Sequence, residues 1–205
     1  MPCLNTNRAM NLYYRIKEKR RLSRLKKLKS VPITYGQYCL LYNFGAISNH
    51  AEVIERAKKP EKLCGRYLPD DLNSMTMGTL VEVLNSKDEI KMLTSIYNLT
   101  TSEIQSERAD IVIGAIKWTS EQLESITGLF KQLERDFTAD EIMAGAEQTK
   151  GDIFSTINWF VKISNGRYSH DEALRVPWII IWRCAKDERD EREYRERLKS
   201  IHNRR

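Results

Sequence analysis

The stretch from Tyr168 to Trp182 admits few folds. Ser169, with Glu172 three places on, is a capping box: each side chain satisfies a backbone N–H that the first helical turn leaves orphaned. A short helical turn then runs into Pro177, which lacks an N–H and belongs at the start of a new helix. The most apolar run of the chain follows, Trp178-Ile179-Ile180-Ile181-Trp182, and beyond it the sequence becomes highly charged. These signals predict a capped knuckle that aims one long helix, buried at its root and solvated at its tip.

The same grammar recurs along the chain. Ser86 with Glu89, Thr100 with Glu103 and Thr138 with Glu141 are further capping boxes. Ser48 or Asn49 caps a helix through Lys59, and Pro60 begins another through Cys64-Gly65. Apolar residues recur at three- and four-residue steps from Ile111 through Leu133, which predicts a long helix over 107–134. The next helix runs from Thr138 toward Ile163 despite Gly145 and Gly151, and Asn165-Gly166 ends it with a left-handed cap. Strand-like alternation is almost absent. The expected fold is all-α: a helical bundle with a basic N-terminal helical arm (1–31) and a body (32–205) that ends in a long, protruding charged helix. Trp118, Trp159, Trp178 and Trp182 are the expected anchors of its core, each worth a few kcal/mol by buried area.

Two segments resemble each other: Ile33-Thr34-Tyr35-Gly36 and Met75-Thr76-Met77-Gly78. Each reads apolar, Thr, apolar, Gly, then a short apolar-rich run. The threonines suit N-caps, and a first-turn glycine lets another backbone approach closely. An internal duplication explains the likeness, and so do two helix starts built by common rules.

Charge is unevenly spread. Residues 1–30 hold ten Lys or Arg against Glu18 alone, a net +9, whereas the whole chain carries +6, so the remaining residues sum to −3. The arm reads as an amphipathic basic helix over 11–29, with Leu12, Ile16, Leu22, Leu25 and Leu28 as an incomplete apolar stripe. Its Arg15, Lys17, Lys19, Arg20, Arg21, Arg24, Lys26, Lys27 and Lys29 are the candidate contacts to phosphate or to an acidic protein partner. Tyr13 and Tyr14 add stacking surfaces for nucleic acid. No helix-turn-helix, zinc-finger or single-strand-binding pattern accompanies them, so a non-specific DNA contact through the arm is the expectation, not sequence reading.

Enzymatic chemistry finds little support. Cys39, His50 and Cys64 lie ten or more residues apart, without the paired spacing of structural zinc sites. His170 has no nucleophile near it in sequence. The glycines form no phosphate-binding loop. Adjacent carboxylates such as Asp70-Asp71 and Asp171-Glu172 fall in loops or first turns, where they complement the helix dipole. No catalytic residue, metal or cofactor is expected. Four scattered cysteines suit a reducing, intracellular setting. No apolar run approaches the ~20 residues of a membrane span, and no secretory signal is read at the N-terminus.

The C-terminal run 186–205 holds eight basic and six acidic residues. Glu188 with Arg192, Glu191 with Arg195, and Glu193 with Arg197 have the helix-supporting order. Tyr194, Leu198 and Ile201 form a thin stripe for a partner helix.

Two regions resemble small helical proteins of tailed bacteriophages. Met75-Thr76-Met77-Gly78-Thr79-Leu80-Val81-Glu82, then Asp88-Glu89-Ile90 and the helix into Trp118, is similar to an N-terminal pattern found there. Residues 157–198 resemble the C-terminal part of tail-assembly chaperone-like proteins: a helix, a capped Ser-His-Asp-Glu turn, a Val-Pro-Trp step and a charged final helix. The likeness covers about residues 75–198 and carries no functional residue across. It implies a non-enzymatic structural or assembly protein of the head-tail or tail region, meeting other phage structural proteins as a homo-oligomer or ring in a particle. Its setting would be the virion, or host cytoplasm during assembly. The alternatives are a tail-assembly chaperone absent from the mature particle and a nucleic-acid-binding accessory protein that uses the arm.

Overall fold

The computed structural model describes residues 33–45, 47, 50–86, 88–133, 142–143 and 153–203. The basic arm, the Ser48 and Asn49 caps and the helix start at Thr138 lie outside them. The chain is all-α. Its elements are α1 (Tyr35–Asn43), α2 (His50–Arg56), β1 (Lys62–Leu63), β2 (Arg66–Tyr67), α3 (Met77–Asn85), α4 (Glu89–Tyr97), α5 (Thr101–Ser106), α6 (Ala109–Lys131), α7 (Ile153–Ile163), α8 (His170–Arg175) and α9 (Trp178–His202).

Three local expectations are revised. Pro60 to Gly65 does not form a helix but leads into a two-stranded hairpin. Its turn residues Cys64 and Gly65 both take positive φ (50° and 77°), the requirement of a two-residue type I′ turn. The helix expected through Lys59 stops at Arg56, where Lys117 Nζ donates to the carbonyls of Glu55 (2.7 Å) and Ala57 (3.3 Å). α4 is capped by Asp88, whose carboxylate accepts from the Ile90 and Lys91 N–H groups. Ser86 instead accepts from the Asp88 N–H at 3.2 Å.

The described residues group into two compact units, one drawn from 33–66 and 101–117 and the other from 67–100, 118–133, 142–143 and 153–203, and α6 contributes residues to both. In the first unit α1 is capped by a box in which Thr34 and Gln37 exchange bonds of 3.1 and 3.3 Å. Tyr35, Tyr38, Leu41, Leu63, Ile104, Val112 and Ile113 are buried there. Gly114 lies against the Lys58 carbonyl, so close that a Cβ would overlap it. Glu107 joins two elements: its carboxylate accepts from the Cys64 N–H (3.0 Å) and from the Arg108 N–H (2.8 Å).

The second unit buries Met77, Leu80, Leu93, Trp118, Leu123, Ile126, Ile157, Phe160, Trp178 and Ile181. Of the four tryptophans, Trp118 and Trp178 are buried, while Trp159 and Trp182 are half-buried. Thr119 is fully buried, and its hydroxyl meets the Tyr97 hydroxyl at 2.8 Å. The left-handed cap at Asn165-Gly166 is present, with φ of 52° and 80°.

The resemblance between the Thr-Tyr-Gly and Thr-Met-Gly segments extends to their partners. Thr34 forms an antiparallel bridge to Arg108, and Thr76 forms one to Pro177. Around the first, Tyr35 N–H donates to Glu107 O (2.8 Å) and Ala109 N–H to Ile33 O (2.9 Å). Around the second, Met77 N–H donates to Val176 O (2.8 Å) and Trp178 N–H to Met75 O (3.1 Å). Gly36 packs on the Gln105 carbonyl and Gly78 on the Leu174 carbonyl, each position leaving 3.2 or 3.1 Å for a Cβ. Both partner segments are a six-residue helix, two connecting residues and a long helix. Helix capping rules alone would reproduce the threonine but not the partner, the bridge and the glycine approach together. Each unit therefore carries one copy of the same helix–bridge–helix module.

Candidate functional site: the exposed C-terminal helix

The module of the second unit fixes the root of α9. In the Thr76–Pro177 bridge the hydrogen bonds come from the flanking residues, so the bridging position needs no N–H of its own and proline fits. The equivalent Arg108 does have an N–H, and the Glu107 carboxylate takes it. Trp178, 1% exposed, donates its indole N–H to Leu72 O at 2.8 Å and meets Phe130 with ring centroids 6.0 Å apart. One turn on, Trp182 donates to Leu129 O at 3.0 Å. Two turns further, the Arg189 guanidinium donates to the Gln132 carbonyl. At the root Trp178 and Ile181 are buried in the core, Ile179 and Trp182 are half-buried, and Ile180 is exposed, so the apolar run is buried on one side only.

From Asp190 to His202 every residue is exposed. At 1.5 Å per residue, that is about 20 Å of helix standing in solvent. Side-chain pairs support it: Lys186–Asp190 at 3.3 Å, Arg189–Glu193 at 3.0 Å and Glu191–Arg195 at 2.6 Å. Of the three pairs expected from sequence, only Glu191–Arg195 forms; Glu193 turns back to Arg189, which is already held at the root. Exposed pairs of this kind contribute roughly 0.3–0.5 kcal/mol each. Tyr194, Leu198 and Ile201, at 55%, 36% and 53% exposure, lie four and three residues apart on one face. Nothing within the described residues covers that face. The expected interface residues are thus brought together.

The other candidates separate. The nine basic residues of the arm, Arg15 to Lys29, lie outside the described residues. His170 Nε2 meets Asn158 Oδ1 at 2.8 Å on the surface, and no nucleophile joins them in the hydrogen-bond network. Among the described residues no three His, Cys, Asp or Glu side chains are grouped to hold a metal ion. Burial, and then the Glu107 and Glu103 carboxylates, push the Cys64 thiol up to about 11, away from nucleophilic character. Burial likewise pushes the Tyr97 hydroxyl up to about 12, against the lowering effect of Thr119. Among the described residues no helix is long and apolar enough to cross a membrane.

No known protein family, curated protein or solved structure matches the chain.

Some residues that hold the site, or the first unit, together escaped the sequence. Arg189 looked like one more member of a charged run, and only the fold brings it to Gln132. Glu107, Gly114 and Lys117 act on backbone groups at least 43 residues away. Gly114 inside a helical pattern was the one signal that hinted at such a contact.

Proposed function

We propose that this is a non-enzymatic assembly protein that works by presenting α9 to a protein partner, in the setting of a tailed-bacteriophage head-tail or tail structure. The observation that carries the contact role is the uncovered Tyr194–Leu198–Ile201 face on a helix whose root is rigidly held. An apolar stripe on a solvated helix is a recurring mode of helix recognition. The phage setting rests on the resemblance of residues 75–198 to tail-assembly chaperone-like proteins. Mass spectrometry of gradient-purified particles and of assembly intermediates tests it. The chain in mature particles supports a virion component, as part of a homo-oligomer or ring with other structural proteins. Its presence in intermediates alone supports the chaperone reading, and its absence from both overturns the proposal.

The net +9 of residues 1–30 favours a second reading, a nucleic-acid-binding accessory protein. Removal of residues 1–31 separates the two: that reading requires DNA retention to vanish, and the assembly reading requires particle association to persist without it.

A further inference from the structure

From the end of α2 to β2 the chain lies along α5 and α6, and its contacts step back along those helices as it advances. Lys117 Nζ holds the Glu55 and Ala57 carbonyls, and Gly114 admits the Lys58 carbonyl. The Glu107 carboxylate then accepts from the Cys64 N–H at 3.0 Å, and Glu103 meets Arg66 at 3.7 Å. Among residues 57–66, all of them described, Leu63 alone is buried. A two-stranded hairpin is marginal by itself, and an exposed ion pair such as Arg66–Glu103 contributes little. A segment with so little buried apolar surface opens at a lower free energy than the core beside it.

The bonds that build the first module do not involve this segment. Thr34 bridges Arg108, Tyr35 N–H donates to the Glu107 carbonyl, and Gly36 packs on Gln105. The two sets meet at Glu107. Its main-chain oxygen serves α1, one carboxylate oxygen serves the Cys64 N–H, and the other serves the Arg108 N–H. In the second module Val176-Pro177 stands at the corresponding place, with no carboxylate and no N–H at the bridging residue. In the first, the side chain that satisfies Arg108 also holds the hairpin turn.

We propose that residues 57–66 form a strap that opens and closes as one unit over a module that stays folded, with Glu107 as its clasp. Opening uncovers Leu63, the Cys64 thiol and the Gly114 face of α6. The device is independent of the contact role given to α9. Glutamine at 107 offers one acceptor oxygen for two N–H donors, and its own amide N–H groups face whichever donor is left over. Proline at 108, the residue the second module uses at 177, removes one of those donors and frees the single oxygen for Cys64.

Native-state hydrogen exchange of the full chain, read peptide by peptide by mass spectrometry, tests this. In the unsubstituted chain, peptides within 57–66 should exchange together and well before those of α1 and α6. Glu107→Gln should speed exchange of the strap at least about tenfold, the effect of one backbone donor left unpaired, with α1 and α6 unchanged. Glu107→Gln with Arg108→Pro should return the strap to near the unsubstituted rate. Iodoacetamide alkylation of Cys64 should rise in the single variant and fall back in the double one. Both variants lack the Glu107 charge, so the difference between them reports opening. Strap peptides that exchange only with α6 in the unsubstituted chain overturn the proposal. So does a Glu107→Gln effect that is absent or spread equally over α1 and α6, or a double variant as open as the single one.

Discussion

Gly114 sits inside a 23-residue helix, where alanine would ordinarily be the better residue by up to about 1 kcal/mol. Its Cβ position is occupied by the Lys58 carbonyl, a backbone atom that cannot step aside cheaply. Gly114→Ala is therefore expected to destabilise the full chain by about 1–3 kcal/mol in urea unfolding. Gly128, in the same helix with open space around it, is the control: Gly128→Ala should be neutral or stabilising. Equal effects at the two sites would remove the close-approach argument. Cys64 makes a second residue-scale test. With its thiol pushed up from 9.0 to about 11, it carries roughly a hundredfold less thiolate than an ordinary cysteine at neutral pH. Its alkylation by iodoacetamide, followed by mass spectrometry, should lag correspondingly behind free cysteine.

At the level of elements, the signals legible in sequence were those that a helix writes into its own first turn. Ser169 with Glu172, Thr34, Thr76 and the Asn165-Gly166 stop all stand where local chemistry puts them. The hairpin was hidden because Cys-Gly is a poor cue for a turn usually marked Asn-Gly, and its strands are two residues long. The bridges joining Thr34 to Arg108 and Thr76 to Pro177 were hidden for another reason: they are single backbone pairings between distant segments, with no side-chain pattern to announce them. The Ser169 box also predicts a pH response. Hydrogen bonds from the Ser169 backbone and hydroxyl lower the Glu172 carboxyl below its ordinary 4.5. A carboxylate lowered on folding adds stability that is complete above the ordinary value and disappears as pH falls through the lowered one. Thermal melting between about pH 6 and pH 3 should lose a small acid-side component in Glu172→Gln, and an unchanged profile would count against the box.

For the whole molecule, charge was the most legible property and packing the least. Ten basic residues before position 31 give the chain its basic balance, and without them the remainder is acidic. Deletion of residues 1–31 should abolish any binding to heparin or DNA, and in the intact chain that binding should fall steeply with salt, as counterion release requires. Binding that survives deletion would locate the phosphate contact elsewhere. That each unit carries a copy of one module could not be decided from two short likenesses; it needed the partner segments to be seen in place. One consequence concerns leverage. Trp178 and His202 stand at opposite ends of a rod of about 36 Å, clamped over its first three turns. A tilt of about 5° of this clamped root as a whole, about the Thr76–Pro177 bridge, swings the far end by roughly 3 Å over that length, more than half a helical turn. The pivot, although far from any partner, thus sets where the tip arrives, and small changes beside Pro177 should be felt as misalignment at Leu198.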